Sequence, residues 1–146
     1  AFYDDYQRLR AFLHSHSYTG NALGCRAALA TLELFGQGDV LKHNAGLAAH
    51  MSRVCEPFRE HPRVAEVRQT GMILAIEMVK DRASREPFPW QERRGLRVYR
   101  HGLENGVLLR PLGNVVYFMP PYVIDEQQIE TMARVALDGV HLASRD

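Results

Sequence analysis

The sequence is poor in the residues that announce the commonest chemistries. It has two cysteines, Cys25 and Cys55, on separate helical patterns and with no C-x-x-C pair. That usage argues against a disulfide framework, suits a reducing compartment and predicts two buried thiols. There are also only two lysines, Lys42 on a polar helix face and Lys80 beside Asp81. Neither has the shielded setting that a Schiff-base lysine needs. No stretch approaches a membrane span and no charged-then-apolar leader opens the chain, so a cytoplasmic protein is expected. Eighteen basic residues against seventeen acidic ones leave a net charge of +1. With no basic block either, nothing favours nucleic acid or an anionic membrane as partner. There is no G-x-S-x-G and no H-E-x-x-H. His14 and His16 fall on one side of an extended segment, but the other histidines supply no third ligand at metal spacing, and no metal centre is expected.

What is present centres on one stretch, His14-Ser15-His16-Ser17-Tyr18-Thr19-Gly20-Asn21, which runs into the apolar segment 22–35. Small hydroxyl residues, Gly and Asn just ahead of a helix bring hydroxyls and backbone N–H groups to its positive end, where an anion is held well. The same residues would equally serve as a plain turn and N-cap. Only Arg26, Thr31 and Glu33 clearly interrupt the apolar run, and a helix apolar nearly all round is expected to be buried on most sides.

Beyond it, 146 residues with 46% hydrophobic content suffice for one core. Gly36 and Gly38 break the first helix. Asp39 is a plausible cap for a second, with Leu41, Leu47, Ala48, Met51, Val54, Cys55 and Phe58 at helical spacing up to Pro62. Residues 65–68 alternate and 72–79 are apolar on both faces, which predicts two strands, the second central. The segment 81–90, with Pro87 and Pro89, reads as a loop. A third helix over 91–104 would use Leu96, Tyr99 and Leu103. Strands over 107–110 and 115–119 meet at Gly113 and Asn114. Asp125 with Gln128 marks the capped start of a last helix, with Ile129, Met132, Ala133, Ala136, Leu137 and Val140 on its inner face. The fold class is α+β, helices on a small, mainly antiparallel sheet with a long helical lead-in. Arg110 shares an alternating face with Leu108 and is fixed by Pro111. A guanidinium in such apolar surroundings needs an anion, either one of the protein's own carboxylates or a ligand's.

The run HSHSYTGNALGCRAALATLELF and the later RPLGNVVYFMPPY resemble the C-terminal third of class III pyridoxal-phosphate aminotransferases, and the second run resembles their biotin-synthesis branch in particular. The likeness spans almost the whole chain in order. It implies the C-terminal small domain of a fold-type I enzyme: 1–20 as the end of the large cofactor domain with its phosphate loop, 21–60 as linking helices, and 61–146 as the small domain. The opening, aromatic-rich and without Met, fits a continuation of a longer polypeptide. The implied cofactor is pyridoxal 5'-phosphate. The implied reaction moves an amino group from S-adenosylmethionine to 8-amino-7-oxononanoate in a homodimer that shares its active sites across the interface.

By the resemblance, Ser17 with His16 before it contacts the cofactor phosphate, and Ser15 falls where main chain meets substrate. Ser17 keeps the hydroxyl of the family's frequent Thr, whereas Ser15 replaces a Gly and leaves the close backbone approach in doubt. Arg110 matches the arginine that grips the substrate carboxylate. The Schiff-base lysine, the pyridinium-pairing Asp and most aromatic substrate contacts would lie upstream. This chain alone is therefore expected to be inert. Another ω-amino acid or polyamine transaminase, or a non-catalytic free-standing domain, are the competing expectations.

Overall fold

The computed structural model describes residues 4–10 and 17–145. The chain divides into two compact units, Ala1–Asp39 and Val40–Asp146.

In the first unit a short 3-10 turn, Tyr6–Arg8, precedes the turn at residues 17–20 and helix α1, Ala22–Gln37. Gly20 has φ +78°, a conformation that costs glycine little and places Asn21 as the cap. The Asn21 side chain accepts from Gly24 N at 2.8 Å. Within α1, Arg26 reaches Glu33 at 3.0 Å and the Thr31 hydroxyl donates to Ala27 O at 3.0 Å. The expected burial of this helix is not met within the chain, because α1 has no buried residue. Cys25, expected as a buried thiol, is exposed with it. An apolar run of this composition signals a covering surface, but not where that surface comes from.

The second unit starts with α2, Val40–Val54, and α3, Glu56–Glu60. The sequence suggests one helix through to Pro62. It breaks instead at Cys55, where Pro57 enters the first turn of a new helix. Leu41 is exposed, while Leu47, Met51, Cys55 and Phe58 are buried. Burial pushes the Cys55 thiol up to about 12. Next come strands β1, Val64–Thr70, β2, Ile73–Asp81, and a two-residue β3, Glu86–Pro87, in the expected loop. Helix α4, Arg94–Glu104, leads to β4, Arg110–Leu112, β5, Val115–Phe118, and α5, Glu126–Ala143.

All strand pairings are antiparallel, in the order β1-β2-β5-β4 with β3 added to β2. Leu74, Ile76 and Met78 on β2 and Val116 and Phe118 on β5 alternate onto the covered face. Phe58 meets the Phe118 ring edge-on at 6.4 Å. Each such side chain, fully buried, contributes about 1.5–3 kcal/mol. The capping box at α5 is present, with Asp125 accepting from Gln128 N at 2.7 Å and the Gln128 side chain from Asp125 N at 3.1 Å. Strand β4 starts at Arg110 rather than at 107, because Val107 N is spent closing the end of α4 on Gly102 O at 2.8 Å.

Helix α4 corrects the expected anchors. Leu103 is half exposed, and the buried face is Arg94, Gly95, Val98 and Gly102. Small residues win there because the neighbours come so close. A Cβ added at Gly102 would lie 2.7 Å from Val107 O, and one at Gly139 of α5 would lie 3.0 Å from Val98 Cγ1.

Candidate substrate cleft and phosphate turn

Arg110 occupies the first position of edge strand β4, and its side chain is exposed, not held in apolar surroundings as expected. It makes no ion pair among the described residues. Arg110 lines a cleft of about 820 Å³ between the β4–β5 hairpin and the start of α5. Apolar residues dominate the walls, among them Leu108, Met119, Pro121, Val123, Ile124 and Met132. The polar groups on the α5 side are engaged locally: Asp125 and Gln128 cap each other, and the Thr131 hydroxyl donates to Gln127 O at 3.0 Å. Among the described residues, Arg110 is the one cationic side chain in the lining. A lone guanidinium beside apolar walls suits a carboxylate carried on a methylene chain.

The hairpin fixes where Arg110 starts. Its turn is Gly113, at φ +61°, and Asn114, between the paired residues Leu112 and Val115. That register sets Arg110 directly across from Tyr117, and both line the cleft. Tyr117 was missed in the sequence. Counting outward from a two-residue turn would have found it.

Ser15 and His16 lie outside the described residues. Ser17 opens the turn at 17–20 and is exposed, four residues before the Asn21 cap of α1. The first N–H groups of a helix have no partner within it. Asn21 takes one of these at Gly24. A hydroxyl in the turn that leads to a positive helix end is a donor of the kind that a phosphate's acceptor oxygens take. A group to hold the other end of pyridoxal phosphate is not offered by either lysine. Lys42 is exposed on α2, and the exposed Lys80 is paired with Glu86 at 2.9 Å, whose hydrogen bond holds its pKa above the usual value. Among the described residues no three His, Cys, Asp or Glu side chains are grouped to hold a metal ion, and no helix is long and apolar enough to cross a membrane.

This fold, helices on a small antiparallel sheet, is that of an aminotransferase domain. Residues 4–136 match the family pattern of Aminotransferase class-III, and the chain belongs to that family, whose members depend on pyridoxal phosphate. Among its relatives is an adenosylmethionine-8-amino-7-oxononanoate aminotransferase of Anoxybacillus flavithermus, 41% identical over 96% of this chain. The chain spans 31% of that relative's length. The crystal structure of the adenosylmethionine-8-amino-7-oxononanoate aminotransferase of Methanocaldococcus jannaschii superposes with a TM-score of 0.85 at 33% identity, covering 99% of this chain and 33% of that one. An omega transaminase of Pseudomonas jessenii in complex with PMP matches at TM-score 0.81 and 26% identity, over 94% of this chain and 30% of that one.

Proposed function

We propose that this chain is the C-terminal part of a cytoplasmic, homodimeric transaminase that uses S-adenosylmethionine to convert 8-amino-7-oxononanoate into 7,8-diaminononanoate in biotin biosynthesis. The observation that carries this reading is Arg110, an exposed cation on an apolar cleft, without an ion pair among the described residues. The named relatives at 41% and 33% identity support the substrate pair.

In this reading residues 1–20 end the large cofactor domain, 21–60 link, and 61–146 form the small domain. Arg110 binds the acceptor's carboxylate through its two-pronged fork, and the apolar wall takes the methylene chain. Ser17, with the His16 backbone, would hold the phosphate end of pyridoxal phosphate from the neighbouring subunit, and Ser15 would face the substrate. When bound, that cofactor supplies the electron sink and amino carrier of transamination. Positioning and charge complementarity are this chain's own contribution to the reaction.

The test is direct. The complete polypeptide containing this sequence, loaded with pyridoxal phosphate and given S-adenosylmethionine and 8-amino-7-oxononanoate, should yield 7,8-diaminononanoate by mass spectrometry. Turnover of ω-amino acids alone would instead favour the omega-transaminase reading that the Pseudomonas jessenii likeness suggests. No transamination with any acceptor would leave a non-catalytic domain.

A further inference from the structure

We propose that Asn114 is a positioning residue for Arg110, acting with Gly95 to fix the tip of the β4–β5 hairpin against the start of α4. The inference rests on Arg110 being the carboxylate clamp. Strand β4 is three residues long, lies at the sheet edge and pairs with no strand but β5. A long side chain on so short an edge strand points reliably only if the strand's far end is fixed. Gly113 and Asn114 are that end.

Three contacts hold it. The Asn114 carbonyl accepts from Met78 N at 2.9 Å, which is ordinary continuation of the sheet. The Asn114 side-chain amide donates to Phe88 O at 2.8 Å. Across the tip, Gly95 of α4 leaves room for the hairpin: a Cβ there would collide with the Gly113 carbonyl and sit 2.9 Å from Pro111 Cβ. The anchor is itself firm. Phe88 is buried, and the Arg94 guanidinium lies 4.7 Å over its ring. Arg94 Nη1 donates to the carbonyls of Ala143, the last residue of α5, at 2.7 Å, and of Arg145, just past it, at 2.5 Å. The hairpin tip is thus tied through Asn114 and Phe88 to the contact between the start of α4 and the end of α5.

The choice of Asn is not explained by the turn's backbone. Among the described residues φ is positive at Gly113 but not at Asn114, so the residue type is not required for a left-handed conformation. What Asn supplies is the donor to Phe88 O. A shift of about 1 Å at a clamping group costs up to about 100-fold in rate, so loosening the tip should weaken recognition of the carboxylate specifically.

The experiment compares 8-amino-7-oxononanoate with its methyl ester as acceptor in the complete, cofactor-loaded polypeptide. Arg110→Ala sets the floor by abolishing the preference for the acid. Asn114→Ala is expected to cut that preference about tenfold, through KM for the acid, with kcat for the ester unchanged. Gly95→Ala, which displaces the tip from the other side, should act in the same direction. Equal losses on acid and ester in both variants would reduce Asn114 to a structural role and overturn the proposal. So would an unchanged preference in both while Arg110→Ala abolishes it. A preference that survives Arg110→Ala removes the clamp itself, and the positioning role with it.

Discussion

Arg110 stands directly opposite Tyr117, and the row continues through Ala75 on β2 to Arg68 on β1. Two arginines therefore end one row of the sheet's outer face, about 14 Å apart by strand spacing. Their states differ. Arg68 is held by Glu77 at 2.5 Å and Glu66 at 3.2 Å, and both hydrogen bonds strengthen its hold on the proton. Arg110 has no such partner among the described residues, so of the two it is the one available to an incoming carboxylate.

Arg110→Ala should accordingly spare the fold. An exposed side chain without an ion pair contributes within about 0.5 kcal/mol to stability. Loss of the charge-assisted pair should weaken binding of the keto acid by about 2–4 kcal/mol. Arg110→Lys should recover only part, because a point charge lacks the fork. KM for 8-amino-7-oxononanoate and thermal unfolding of the same variants decide it. A large stability loss with unchanged KM contradicts the clamp.

Lys42 and Lys80 should not take up the cofactor. Both are exposed, and Lys80 is held protonated by Glu86; a covalent pyridoxal-phosphate lysine needs a desolvated amine. Treating the 146-residue chain with pyridoxal phosphate and borohydride, then mapping peptides, should show no stoichiometric label. Saturable labelling of either lysine would contradict this.

Much of this was legible because local and global preferences agree. The alternating run at 65–68, the apolar run at 72–79, the two-residue turn at Gly113 and Asn114, and the Asp125–Gln128 box each have one good solution. Helix α4 was less legible: its inner face is set by glycines, whose value lies in what comes close to them and not in their own hydrophobicity. The environment of Arg110 was misjudged for a related reason. Periodicity says which residues share a face, but an edge strand beside an open cleft leaves that face wet. Similarly, the composition of α1 shows that it needs a cover and cannot say whose.

His61 should make stability depend on pH. It is buried, its Nδ1 accepts from Arg63 N at 3.0 Å, and its Nε2 meets His141 Nδ1 at 3.0 Å. The first bond requires an unprotonated Nδ1, so the proton sits on Nε2 and the ring is neutral. Burial first, then the neighbouring His141 and Arg63, hold its pKa below the usual 6.5. As pH falls through 6.5 the unfolded chain takes up a proton that the folded chain still refuses. Stability is then full above 6.5 and declines from there down to the lowered folded pKa. Urea unfolding between pH 8 and pH 5 should show that slope, and His61→Gln should flatten it. An identical slope in the variant would assign the titration elsewhere.

The last expectation concerns α1. Leu29 and Leu32 are 54% and 67% exposed and lie three apart, on one helix face. If the proposed homodimer covers this helix, each leucine contributes about 1.5–3 kcal/mol to assembly. Replacing either with Asp adds the cost of a buried charge without a partner. Leu29→Asp with Leu32→Asp in the complete polypeptide should weaken dimerisation at least about 100-fold, since the combined loss is about 3 kcal/mol or more. Cofactor occupancy should fall in step if the phosphate turn ahead of α1 works across the interface. The same changes should leave the local structure of the unit Val40–Asp146 intact, because its core contains no residue of α1. Sedimentation over a concentration series, with cofactor absorbance read on the same samples, measures both effects. A doubly substituted protein that sediments as an unaltered dimer would place the interface elsewhere.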